Sequence, residues 1–79
     1  MQKKFVDVIC LNDHMGNLEP LFLMLDESKK IPILKTIEVI PNSSVRPGES
    51  GLRYTCLFEN NRTRHLFYDR GKWFVEMYR

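Results

Sequence analysis

Residues 51–79 read GLRYTCLFENNRTRHLFYDRGKWFVEMYR, and this stretch decides the fold. It holds seven of the chain's nine aromatic residues, so the chain's bulkiest side chains are concentrated here. Aromatic and β-branched side chains suit a pleated, half-buried surface. Asn60-Asn61 and Asp69-Arg70-Gly71 supply residues that tolerate positive φ, as hairpin turns require. The stretch is expected to form three short strands joined by two tight turns. In the first strand Leu52, Tyr54, Cys56 and Phe58 share one face, while Arg53, Thr55, Leu57 and Glu59 share the other.

The rest of the chain extends this pattern. In Phe5–Leu11, Phe5, Asp7, Ile9 and Leu11 alternate with Val6, Val8 and Cys10, and Asp7 hints at a face that is only partly covered. Residues 12–17 form a loop pivoting on Gly16. Leu18–Leu25 is too short for a stable helix, and Pro20 belongs at the start or edge of a strand. Residues 26–30 make a polar hairpin loop without glycine, and Ile31–Ile40 is a β-branched strand that Pro41 ends. Residues 41–51, PNSSVRPGESG, form a long connection between the two halves. Six short strands at regular spacing predict an all-β fold, a small SH3-like barrel or a strongly bent antiparallel sheet of about five to six strands. The expected core is Phe5, Val6, Ile9, Leu21, Leu23, Leu25, Ile33, Ile37, Val39, Tyr54, Leu57, Leu66, Phe67, Trp73 and Val75.

At 79 residues the chain has room for a single small β domain, residues 1–79, with no core to spare for a deep substrate cavity. A net charge of +2 does not by itself imply nucleic acid. Residues 1–45 carry five basic and six acidic side chains, residues 46–79 seven and four, so the carboxy-terminal half is mildly basic. This is either one basic face or the ordinary solvation of strand surfaces. No apolar run has the length or flanks of a signal peptide or membrane span, and Cys10 and Cys56 stand far apart. A reduced, cytoplasmic setting is the resulting expectation, with both cysteines as core residues and no disulfide.

Phe5-Val6-Asp7-Val8, Gly16 with Pro20 four residues on, the β-branched strand, Gly51-Leu52-Arg53-Tyr54-Thr55 and Lys72-Trp73-Phe74-Val75-Glu76 together resemble a family of short bacterial proteins found mainly in Firmicutes. The resemblance spans nearly the whole chain, with the Gly-x-Arg-Tyr-Thr and Trp-Phe-Val-Glu blocks as its best marks. No activity is established for that family. The resemblance implies a bacterial, cytosolic, compact domain and transfers no catalytic or binding residue.

Chemistry is hard to assemble from the residues. His14, His65, Cys10 and Cys56 lack the close-pair spacing of zinc modules, and a Cys–His nucleophile would need an orienting group and an oxyanion hole. The Ser, Gly and Arg of residues 43–51 lack the Gly-Lys-Ser/Thr junction of a phosphate loop. No enzyme, metal, cofactor or small-molecule substrate is expected. One suggestive pattern interleaves Arg53, Arg62, Arg64, Arg70, Lys72 and Arg79 with Tyr54, Phe67, Tyr68, Trp73, Phe74 and Tyr78. Two readings follow. The first is a non-enzymatic interaction module that binds a protein partner or itself through a sheet edge or aromatic surface. The alternative is a weak nucleic-acid-binding barrel whose basic carboxy-terminal sheet contacts phosphates and stacks bases. For either, the candidate surface is Arg53, Arg62, Arg64, Tyr68, Arg70, Lys72 and Phe74.

Overall fold

Alternating sequence becomes strand, and turn residues become turns, in a computed structural model that describes residues 2–41 and 51–77. The strands are β1 (Gln2–Asn12), β2 (Leu18–Asp26), β3 (Lys29–Pro41), β4 (Gly51–Phe58), β5 (Arg62–Asp69) and β6 (Lys72–Met77), with a single 3₁₀ turn at Glu59–Asn61. They form a closed antiparallel barrel in the order β1-β2-β3-β4-β5-β6. The expected small all-β barrel is therefore what the chain forms. The long connection lies almost wholly outside the described residues, as do Tyr78 and Arg79.

The turns follow from local chemistry. Arg70 (φ 52°) and Gly71 (φ 81°) are both left-handed and close the Asp69↔Lys72 pair with a two-residue loop. Two positive φ values in succession match the right-handed twist of the flanking strands. Asn60 and Asn61 are left-handed as well, at φ 69° and 59°. Between β2 and β3 the loop is shorter than expected, because Asp26 pairs with Lys29. The Asp26 carboxylate accepts the backbone N–H of Ser28 at 2.8 Å and its hydroxyl at 2.9 Å, which replaces the missing glycine. Asp13 organises the first loop in the same way, accepting the N–H groups of Met15 and Asn17 at 2.9 Å each.

Two strands serve two sheets. β1 pairs with β6 through Gln2–Val6 and with β2 through Asp7–Asn12. β3 pairs with β2 through Lys29–Pro32 and with β4 from Ile33 onward. A larger sheet (β1, β6, β5, β4, β3) thus folds over a smaller one (β1, β2, β3). Their inner faces enclose Leu23, Ile33, Tyr54, Cys56, Phe58, Leu66 and Trp73, with Val6, Val8, Cys10, Leu18, Ile31, Leu52, Tyr68 and Val75 packed against them. Trp73 is the centrepiece, with its ring 5.0 Å from Tyr54 and 4.8 Å from Tyr68. The Tyr54 hydroxyl donates to the carbonyl of Leu18 at 3.1 Å and ties the two sheets together.

Eight of the expected core residues lie outside this cluster: Leu21 and Leu57 are half-buried, Phe67 packs on the outer face, and five are exposed. Phe5 is 61% exposed, Ile9 41%, Leu25 47%, Ile37 51% and Val39 44%. In β1 the inward face is Val6, Val8 and Cys10, so the Asp7 face meets water. In β3 the register shifts between Ile33 and Lys35 and again between Thr36 and Glu38, and each bulge resets which residues point in.

Candidate interaction surface

The register that turns Val6, Trp73, Tyr68 and Leu52 inward turns the next cross-strand row outward. That row is Phe5, Phe74, Phe67 and Arg53 on β1, β6, β5 and β4. Phe67 and Phe74 stack at 5.2 Å with an interplanar angle of 10°, and Phe5 meets Phe74 edge-on at 5.8 Å. His65 approaches Phe67 edge-on at 6.4 Å. Lys3 lies 4.8 Å over Phe74, and Lys72 lies 5.9 Å over Phe5. Such cation–ring contacts contribute about 0.5–1 kcal/mol each at exposed sites. Phe67 and Phe74 are buried and do not belong to the barrel core, so they form a second, outer cluster with the exposed Phe5 at its rim.

The outer face of the smaller sheet is apolar too. Ile9, Phe22 and Pro32 form one cross-strand row, and Lys30 sits 4.2 Å over the Phe22 ring. Leu11 and Leu34 are exposed at 51% and 59%. Where β1 leaves β6, an open groove of about 470 Å³ is lined by Phe5, Val6, Asp7, Val8, Gly71, Lys72 and Trp73.

Of the seven residues singled out from sequence, Arg53, Lys72 and Phe74 belong to this surface, and the other four do not join them there. Arg53 lies half-buried on the outer face with its guanidinium 4.0 Å from Glu38, and its buried Nε has no hydrogen-bond partner among the described residues. Arg62 and Arg64 are exposed, on the row that continues the core-facing side of β5. Arg70 and Lys72 lie at the other end of β5, beside Asp69. An eight-residue strand separates the two groups by roughly 23 Å at the usual rise per residue. Tyr68 faces inward against Trp73, and Phe74 is only 3% exposed, so neither ring offers a free stacking face. Sequence reasoning placed Ile9 in the core and assigned Leu11 and Leu34 no surface role, although Asp7 on the Ile9 and Leu11 face had hinted that this face is only partly covered; nothing in the sequence marked Leu34.

The titratable groups are few. Burial pushes the Cys56 thiol from its ordinary 9.0 up to about 11, and desolvation raises the Tyr54 phenol. Asp13 is held below its ordinary value chiefly by the N–H of Asn17. Both cysteines are free thiols. His14 is exposed in the first loop. Among the described residues no group of three or more His, Cys, Asp or Glu side chains converges on a point, and no helix is long and apolar enough to cross a membrane. No family model, curated protein or solved structure matches the chain. The functional reading therefore rests on the chain's own geometry.

Proposed function

We propose that the protein is a non-enzymatic interaction module that binds a protein surface, a partner's or a second copy's, through the apolar outer face of an SH3-like barrel. One observation carries this reading. Among the described residues, nine large apolar side chains remain exposed: Phe5, Ile9, Leu11, Met15, Leu25, Leu34, Ile37, Val39 and Met77. Single exposed apolar residues are ordinary, but contiguous ones mark association surfaces. Ile9 and Leu11 share one face of β1, and Phe5 lies on the same strand. The free thiols of Cys10 and Cys56 support a reducing, cytoplasmic setting.

The test measures mass and nucleic-acid binding side by side. A mass above the 9.4 kDa monomer, or a complex with a protein partner, should persist at high salt, because apolar burial drives it. Single- and double-stranded oligonucleotides should give no mobility shift at low salt. The reading is overturned by a clean monomer that shifts oligonucleotides at low salt and loses the shift when Arg62, Arg64 and Arg70 become alanine, because released counterions would then be the driving force.

A further inference from the structure

Each odd-numbered strand begins with two cations. β1 opens with Lys3 and Lys4, β3 with Lys29 and Lys30, and β5 with Arg62 and Arg64. The barrel follows sequence order and every pairing is antiparallel, so the starts of β1, β3 and β5 lie at one end, beside the finishes of β2, β4 and β6. Three basic pairs that are far apart in the chain therefore meet on one rim. All six side chains are exposed. The opposite end, where β2, β4 and β6 begin, gathers no such set; its cations are Arg53, Arg70 and Lys72.

The rim is not neutralised by its own acids. Asp26, Glu27, Glu59 and Glu76 stand at the same end, four carboxylates against six cations. One of the four, Asp26, is already engaged by the backbone N–H and hydroxyl of Ser28. None of the six cations lies within ion-pair distance of a carboxylate, and the ion pairs among the described residues, Arg53 with Glu38 and Arg70 with Asp69, belong to the other end. Lys3 and Lys30 rest on the Phe74 and Phe22 rings instead. The same rim carries apolar side chains. Leu25 and Met77, at the finishes of β2 and β6, are 47% and 46% exposed.

We propose that this end of the barrel docks an acidic peptide segment with interspersed apolar side chains, a surface separate from the apolar outer face and beyond the reading above. Cations crowded on one rim repel one another, and carboxylates laid between them relieve that repulsion. The guanidinium groups of Arg62 and Arg64 suit this task best, because their planar forks match carboxylate geometry. Two residues apart on one strand, they share a face and engage carboxylates of one extended segment. Leu25 and Met77 receive the segment's apolar side chains. A nucleic acid would bring the charge but lacks a place for its bases. The described rings nearest the rim, Phe58 and Phe74, are 6% and 3% exposed and offer no stacking face.

Fluorescence anisotropy of the full chain tests this with three labelled probes: a Glu-Glu-Leu repeat peptide, its Gln-Gln-Leu counterpart and oligothymidylate. The Glu-Glu-Leu peptide should bind, with an affinity that falls as salt rises, and the other two should not. Arg62→Glu with Arg64→Glu should weaken that binding about tenfold or more. Lys4→Glu with Lys29→Glu, on two other strands of the rim, should weaken it too, so the test survives if either variant fails to fold by circular dichroism. Lys72→Glu changes the net charge equally per residue at the far end of β5. It should alter binding less than about twofold at 0.1 M salt, where charges more than about 10 Å apart are largely screened. Loss of binding that is as large in Lys72→Glu as in the rim variants overturns the site, because net charge alone would then explain it. A Glu-Glu-Leu peptide that fails to bind, or an oligothymidylate that binds more tightly, also overturns it. Failure of the peptide to bind leaves the apolar outer face untouched, since association there is expected to persist at high salt.

Discussion

Replacing Trp73 by alanine removes the side chain on which both sheets converge. Trp73 is 7% exposed and packs between Tyr54 and Tyr68. A buried indole withdraws about 150–250 Å² from water, worth roughly 4–6 kcal/mol at 25 cal/mol per Å². Truncations of buried aromatics cost about 3–5 kcal/mol. A domain of this length has a total stability of roughly 4–12 kcal/mol, so the variant should lose between about a quarter and all of it, and it unfolds at room temperature if the wild type lies at the low end. Phe5→Ala is the matched control. Phe5 is also aromatic and on a strand, but it is 61% exposed and has one edge-on ring contact, with Phe74. Its loss should cost below about 1.5 kcal/mol. Urea unfolding followed by far-UV circular dichroism measures both, because the chain's one tryptophan is missing from the first variant. Equal costs for the two substitutions, or a Trp73→Ala protein within about 1.5 kcal/mol of wild type, would refute the placement of Trp73 at the centre.

Four smaller changes probe other features. Tyr54→Phe deletes the bond to the Leu18 carbonyl and should cost about 1 kcal/mol in the same urea assay. Arg70→Asn places a residue that tolerates left-handed φ where an arginine now sits at 52°, and it should raise stability by about 0.5–1 kcal/mol. Folding favours the neutral Cys56 thiol, so its contribution is whole below pH 9.0 and is lost as pH rises toward about 11. Over that window stability should fall by about 1.4 kcal/mol per pH unit more steeply in wild type than in Cys56→Ala. Asp13 behaves in the opposite sense, since its folded-state value is depressed. Its contribution is present above pH 3.8 and lost as pH falls through the lower folded value, and a carboxyl NMR titration should give a midpoint below 3.8.

The strands and turns were legible because they rest on local chemistry. Period-two alternation marked β1, β3 and β4, length and turn boundaries marked β2, β5 and β6, and Asn60, Asn61, Arg70 and Gly71 take the left-handed conformations that their positions in the sequence suggested. What alternation does not say is which of two apolar faces turns inward. β1 offers Phe5, Ile9 and Leu11 on one side and Val6, Val8 and Cys10 on the other, and only pairing with β6 and β2 selects the smaller set. In β3 two bulges break the period, so Ile37 and Val39 could not be placed by counting. Phe67 and Phe74 were out of reach for another reason: they are buried in an outer cluster that exists only once β5, β6 and β1 lie side by side. The basic residues were legible as a group in sequence but not as a surface. Their distribution over both ends and both faces of β5 depends on strand length and register, which composition does not carry.

The seam between β1 and β6 also governs how the chain is made. Gln2 pairs with Met77 and Val6 with Trp73, so β1, synthesised before β6, finds that neighbour only after β6 has emerged. Until then Val6 and Val8 have no Trp73 to pack on, and the neutral Val8–Leu11 segment waits beside an unfinished barrel. Pairings of such long sequence separation fold in milliseconds to seconds. Synthesis, at about 5–20 residues per second, therefore sets how long the half-built sheet stays open. A fast-translated messenger should shorten that exposure, and a stall placed just before the Lys72 codon should prolong it and raise the insoluble fraction.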